Sequence, residues 1–235
     1  MKQIYFIVEG STEENFVKEV LKPHFLGMNI FLFPIKITTR KDKRRGRIFK
    51  GGLTNINQLI RDLENILNQY RNAPCVWVTT MVDLYKFPLP EDWKKDFYKI
   101  SDGANKARFL ESKLAEKFQK FPRFIPYVSV HEFEALLFSD LKVLHESLSE
   151  KVGGKSLDEL RREVKKLTPE EINLGEDTAP SKRINKLYPG YLDQKSVFGP
   201  FTAASIGLQK IRASCPHFDE WLKRLESIDV NPSDP

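Results

Sequence analysis

Four apolar runs punctuate the first 140 residues: Ile4 to Val8, Ile30 to Ile37, Cys75 to Val82 and Phe124 to Val130. Each is short, rich in branched or aromatic side chains and without polar alternation, the pattern of a strand buried on both faces. Between them the apolar positions recur at helical spacing. Residues from about Thr12 to Leu21 form the first such stretch, with Ser11 and Glu14 at capping-box spacing and Lys22-Pro23 marking its exit. Ile56, Leu59, Ile60, Leu63, Ile66 and Leu67 make a stripe within Asn55 to Tyr70, and Ala104 to Phe118 is amphipathic. Strand–helix alternation predicts βαβ units and an α/β fold with a mostly parallel, four-stranded sheet flanked by helices over residues 1–140. Pro34 assigns the second strand to an edge or a bulge.

From residue 141 to 228 the pattern is helical throughout. Gly153-Gly154 breaks it, Pro169-Glu170-Glu171 and Ala179-Pro180-Ser181 read as helix starts, and Pro200 to Ala213 and Pro216 to Leu225 read as the last two helices. This gives a C-terminal helical extension packed on the sheet domain, then a tail over residues 229–235. No internal repeat is present.

Composition narrows the class. An apolar content of 40% with 30% charged residues is that of an ordinary soluble globular protein. No signal-peptide pattern or bilayer-length apolar stretch is present, and Cys75 and Cys215 are far apart, so reduced thiols and a cytoplasmic location are expected. The net charge of +6 is local. Arg40, Lys41, Lys43, Arg44, Arg45, Arg47 and Lys50 stand against Asp42 alone, which leaves the rest of the chain with no net charge. That segment is either a solvated loop or an arm that neutralises phosphates.

Three predicted strands end in acids: Glu9, Asp83, and Glu132 with Glu134. Parallel strands bring their carboxyl ends to one edge, where α/β proteins bind ligands. Carboxylates gathered there repel one another unless a cation or a shared proton intervenes, and oxygen donors without Cys or paired His suit Mg²⁺ or Mn²⁺. Polar strand ends that merely face solvent are the alternative. His131 lacks the partner of an H-E-x-x-H pair and is expected to hydrogen-bond beside the site rather than ligate. Lys182 and Arg183 would sit in the first turn of a helix capped by Ser181, where the dipole disfavours cations; a bound anion or a carboxylate such as Asp177 would relieve that.

The sequence Val8-Glu9-Gly10-Ser11-Thr12-Glu13 resembles the first motif of the Toprim domain as found in overcoming-lysogenization-defect nucleases. Thr80 to Tyr85, His131 to Phe138 and Ala179 to Ile184, with Gly207-Leu208, Cys215 to Phe218 and Trp221-Leu222, together resemble the bacterial family called domain of unknown function 4276. The resemblance implies a Toprim-like sheet, a metal ligand or general acid/base at Glu9, and an Mg²⁺-holding acid at Asp83. The second aspartate of the D-x-D motif is Tyr85 here, so Glu132 or Glu134 would have to complete the site.

The expected function is therefore Mg²⁺- or Mn²⁺-dependent phosphodiester hydrolysis by a nuclease. Glu9, Asp83, Glu132 and Glu134 would hold the metal, and Glu13 would assist or act as base. Arg40, Lys43, Arg44, Arg45, Arg47, Lys182 and Arg183 would contact phosphate, with Tyr85 and His131 supporting the site. The rival is a non-catalytic Toprim-like subunit that binds nucleic acid or an ATPase, since the resemblance places such families beside ATPases in prokaryotic defence islands.

Overall fold

A computed structural model describes residues 1–42, 47–50, 52–172 and 178–228, the side chains of 39–42 and 47–50 excepted. Strand β1 (Lys2–Val8) lies between β2 (Ile30–Lys36) and β5 (Val76–Asp83), parallel to both. On the far side of β5 run two short parallel strands, β6 (Phe124–Ile125) and β7 (Val128–Ser129). The sheet is thus four strands wide, in the order β2-β1-β5-β6, with β7 continuing the line of β6. Pro34 sits on the edge strand, where a missing N–H costs no ladder bond on the outer side.

The one expected strand over Phe124 to Val130 is interrupted. Pro126 cannot donate to the ladder, and the Thr80 hydroxyl takes over by accepting the Tyr127 N–H at 2.8 Å and donating to the Tyr127 carbonyl at 2.7 Å.

Both sheet faces are covered, so successive residues of β1 enter different cores. Ile4, Phe6 and Val8 face α1 (Ser11–Phe16) and the C-terminal helices, while Ile7 faces α3 (Ile56–Gln69) and α5 (Gly103–Lys117). The first cluster also holds Leu144 of α6 (Leu141–Val152), Leu160 of α7 (Leu157–Val164), Ile184 of α8 (Pro180–Leu187) and Trp221 of α11 (Pro216–Glu226). The helices after residue 140 therefore share one core with β1. Residues 229–235 lie outside the described residues.

Prolines account for three departures from the expected elements. The first helical run does not end at Lys22-Pro23: a π turn (Val17–Leu21) leads into α2 (Lys22–Leu26), with the Lys22 N–H bonded to the Val17 carbonyl. The wide turn makes room for the proline ring that a regular α-turn would clash with. Likewise α9 (Lys195–Ile206) contains Pro200 instead of starting there, and α10 (Leu208–Ser214) is separate. The proline leaves the Ser196 carbonyl without its helical donor, and Asn15 Nδ2 of α1 supplies one at 2.9 Å. Gly199 lets the two helices approach, since a Cβ there would meet Phe133 at 2.9 Å and Thr12 at 3.3 Å. At the third departure, Ala179 rather than Ser181 is the N-cap of α8, with Pro180 at its first position.

The basic segment is a third kind of difference. It forms an antiparallel two-stranded ribbon, β3 (Thr38–Asp42) and β4 (Arg47–Lys50), outside the main sheet. A short helix, α4 (Glu91–Phe97), follows the proline-rich loop after β5.

Candidate active site

Glu9 is the first residue beyond β1, and Asp83 is the last residue of its neighbour β5. Parallel pairing puts both at one edge. The Glu9 backbone stays in register, its N–H on the Met81 carbonyl at 3.2 Å and its carbonyl accepting from Gly52 at 3.0 Å. Its carboxylate is gripped by two backbone amides, Leu53 N–H on Oε1 and Asp83 N–H on Oε2, each at 3.2 Å. Glu9 is no loose strand end.

The turn that follows differs from the expected one. Gly10, in extended conformation, is the N-cap of α1, and its N–H is bound by the carboxylate of Glu13 at 2.8 Å. The acid closing the cap is Glu13, not Glu14, because the helix begins one residue earlier than a Ser11 cap requires. Glu14 instead pairs with Lys18 at 2.6 Å and Lys36 at 2.8 Å. Glu13 is 5% exposed and has a local duty as well as a place in the acid cluster.

Glu134 comes in from the 3₁₀ turn Phe133–Ser139 and is buried. Its Oε1 accepts the Tyr191 hydroxyl at 3.4 Å and faces Lys195 Nζ at 3.4 Å. Two carboxylate oxygens, Asp83 Oδ1 and Glu134 Oε2, are buried without a hydrogen-bond partner, as is the Tyr85 hydroxyl. Among the described residues that line the cleft, Lys195, absent from the sequence-based set, is the cation. No sequence signal marked it: the sequence places a helix start at Pro200, whereas Lys195 is the first residue of α9, where the helix dipole disfavours a cation and nearby anions offset that.

These groups define a cleft of about 340 Å³ lined by Glu9, Glu13, Gly52, Asp83, Lys195 and Ser196. Burial drives its electrostatics. It pushes Glu9 up, although the two backbone amides oppose it, and carries Glu13 up to about 7 with help from Glu134 and Glu9. Asp83 is held well above the usual carboxylate range by burial and then by Glu9, Glu13 and Glu134. Glu134 is raised by burial, against Lys195. For Lys195 burial disfavours the charge, but Glu134, Asp83 and Glu13 outweigh it and raise the ammonium pKa. Buried carboxylates gathered this closely resist full ionisation, and retained protons or a bound cation relieve the repulsion.

The remaining candidates separate. The Glu132 carboxylate is occupied by Ser181, whose N–H donates at 2.9 Å and hydroxyl at 3.1 Å. Arg183 is buried, its Nε on the Thr178 carbonyl at 2.7 Å and its Nη1 on Glu163 Oε1 at 3.1 Å. Lys182 is half-buried on α8 and does not line the cleft. His131, in a left-handed conformation with φ 75°, bonds the Glu170 carbonyl at 2.9 Å and opens on a separate groove beside His217. Burial lowers its pKa. Lys43, Arg44, Arg45 and Asp177 lie outside the described residues, and Arg40 and Arg47 are placed by backbone alone. Cys75 and Cys215 are free thiols, and among the described residues no helix is long and apolar enough to cross a membrane.

A family model described as "Domain of unknown function (DUF4276)" matches residues 8–226. The chain belongs to this family. Neither the curated proteins nor the solved structures contain a match to it. The DUF4276 match begins at Val8, directly before Glu9, and runs through every element that contributes to the cleft.

A hard divalent cation suits this DUF4276 cleft. Its acids Glu9, Glu13 and Asp83 offer oxygen donors beside Ser11, Thr12 and Ser196, and Asp83 Oδ1 is unpartnered, as is Oε2 of the neighbouring Glu134. Among the described residues no three acids stand close enough to form a closed cage. Mg²⁺ does not need one, since it commonly takes one or two carboxylates and completes its octahedron with water and substrate phosphate.

Proposed function

We propose that this protein is a Toprim-like, Mg²⁺- or Mn²⁺-dependent phosphodiesterase acting on nucleic acid. The observation that carries the reading is the pairing of Glu9 and Asp83 at adjacent parallel strand ends, with Asp83 Oδ1 buried and unpartnered. Glu9 and Asp83 would hold the metal, and of the two alternatives Glu132 and Glu134 the second would be the acid that compensates for Tyr85, since Ser181 occupies the first. A bound divalent ion supplies charge stabilisation and a more acidic water at the phosphodiester. Glu13, pushed up to about 7 mainly by burial, would be the residue to accept a proton at its carboxylate. Lys195 faces the same space and can draw charge from the phosphate's non-bridging oxygens.

The test is cleavage of single- and double-stranded DNA and RNA with Mg²⁺ or Mn²⁺, alone and with a co-encoded ATPase. Wild type should cut at least one substrate, and Glu9→Gln and Asp83→Asn should cut none. If wild type cuts nothing while nucleic acid or the ATPase still binds, the protein is a binding subunit. Tyr85 in the place of an acid favours that second reading.

A further inference from the structure

One wall of the acid cleft carries a hydroxyl backed by an ammonium. Ser11 is exposed and lines the cleft with Glu9 and Asp83. Its Oγ accepts an N–H from Lys36 Nζ at 3.2 Å. A hydroxyl oxygen that accepts from an ammonium keeps its own hydrogen for another acceptor and is polarised to donate it. Lys36 is the last residue of the edge strand β2 and pairs in register with Val8, the residue before Glu9. The same Nζ meets Glu14 Oε2 at 2.8 Å, while Lys18 takes Glu14 Oε1 at 2.6 Å. Two ammoniums therefore share one carboxylate, and the trio keeps one positive charge beside the cleft. Glu14 and Ser11 occupy two of the three Lys36 N–H groups, which leaves one for a ligand among the described residues.

We propose that Ser11 and Lys36 together hold a backbone phosphate of the nucleic-acid strand, on the β2 side of the acids. The proposal rests on the nuclease reading and names the residues by which that site grips its polymer. Lys36 and Asp83 end β2 and β5, and Glu9 follows β1 between them. Two strand spacings separate β2 from β5, so the Lys36 backbone stands about 10 Å from that of Asp83 along the sheet edge. Lys195, by contrast, is a cation that acts on Glu9 and Glu13 themselves. The two lysines thus serve different parts of the cleft, Lys195 at the acids and Lys36 at the rim. A hydroxyl donor beside a net positive charge is the chemistry that receives an anionic phosphate oxygen. An ion pair that only anchors β2 to α1 would need Lys36 and Glu14, and would give the Ser11 hydroxyl no part.

Binding separates this proposal from catalysis. The full chain is titrated, in chelator and over a range of salt, with a DNA single strand and a DNA duplex. Lys36→Met keeps the apolar stem and removes one phosphate contact. The slope of log K against log salt should then fall by about 0.7 on the single strand or about 0.9 on the duplex. Lys36→Arg should retain the slope, which separates loss of charge from loss of fold. Ser11→Ala removes a neutral donor, so it should weaken binding severalfold with the slope unchanged. Lys18→Met takes away the other ammonium on Glu14 and should leave the slope as in wild type, whereas Glu14→Gln releases Lys36 and should tighten binding. An unchanged slope in Lys36→Met, an equal fall in Lys18→Met, unaltered binding in Ser11→Ala, or no nucleic-acid binding by wild type would each overturn the proposal. The expected slopes without cleavage in Mg²⁺ or Mn²⁺ would uphold the phosphate contact and remove the nuclease reading alone.

Discussion

The Glu9 carboxylate accepts the backbone N–H of Asp83 at 3.2 Å across the ends of two adjacent parallel strands. One acid thus fixes the backbone of another while repelling its side chain: the amides favour the Glu9 carboxylate, but burial outweighs them, and Asp83 gains no such support. Stability and metal affinity should consequently depend on the same protons.

The first consequence is a pH profile. Glu13 has a folded pKa of about 7 against 4.5 unfolded. As pH rises past 4.5 the unfolded chain ionises first, the native state keeps more protons, and stability falls until about pH 7. Glu9, Asp83 and Glu134 are raised too and act in the same direction. His131, held neutral by burial, acts oppositely up to 6.5 but is a single group. Acids with lowered pKa, such as Glu14, change stability only below 4.5. In chelator the melting temperature should therefore drop between about pH 5 and 7.5, and Asp83→Asn should flatten the drop. A profile that rises over this interval contradicts the arrangement.

Metal should reverse that trend. Mn²⁺ at 100 times its dissociation constant should stabilise the fold by about 2.7 kcal/mol, read as a rise in melting temperature. Because binding displaces protons from raised carboxylates, the rise should be larger at pH 8 than at pH 6. Glu9→Gln and Asp83→Asn should each remove most of it. A wild-type protein whose melting temperature ignores millimolar Mn²⁺ has no such site.

Much of this site was legible in the residues themselves. Apolar runs closed by Glu9 and Asp83 gave strand ends, and a parallel sheet brings strand ends together, so their meeting needed no tertiary detail. Glu134 followed from the run after Val130. What the pattern could not supply was the arrangement of the C-terminal helices. Lys195 reaches the cleft because Gly199 lets α9 approach α1, and because Pro200 frees a carbonyl for Asn15. Those are contacts between residues some 180 positions apart, invisible to local periodicity. Arg183 misled for the related reason that Glu163, its partner, belongs to another helix. The strand break at Pro126 was readable from the proline, but its repair by Thr80 was not.

Glu132 and Glu134, two residues apart, should respond differently to the same substitution. Glu132 holds Ser181 through two hydrogen bonds, so Glu132→Gln should lower stability by about 1–3 kcal/mol and leave the Mn²⁺ response intact. Glu134 has an unpartnered oxygen and a raised pKa, so Glu134→Gln should keep or raise stability in chelator and weaken the Mn²⁺ response. Melting curves of the two variants with and without Mn²⁺ decide it. The opposite assignment would make Glu132 the ligand and require the Ser181 contact to open.

Lys195 gives the sharpest separation between a structural and a chemical role. Its ammonium faces Glu134 at 3.4 Å, and its charge is favoured by Glu134, Asp83 and Glu13. Lys195→Met removes that charge while keeping a flexible side chain of similar reach, and it also relieves the unfavourable cation at the start of α9. Without the ammonium the acids should hold their protons to still higher pH, so the variant should be less stable than wild type in chelator and the fall with pH steeper. Mn²⁺ should then bind more tightly than to wild type, because the ion no longer competes with a neighbouring cation. If Lys195 serves only to neutralise acids, Mn²⁺ should rescue stability and cleavage together. If it also draws charge from the scissile phosphate, cleavage should remain down by roughly 100-fold or more in saturating Mn²⁺, with metal affinity up. The second outcome is expected, since Lys195 lines the cleft as well as meeting Glu134. Parallel measurements of Mn²⁺ affinity by melting shift and of cleavage rate at saturating metal distinguish the two. Full recovery of the rate would remove Lys195 from the chemistry.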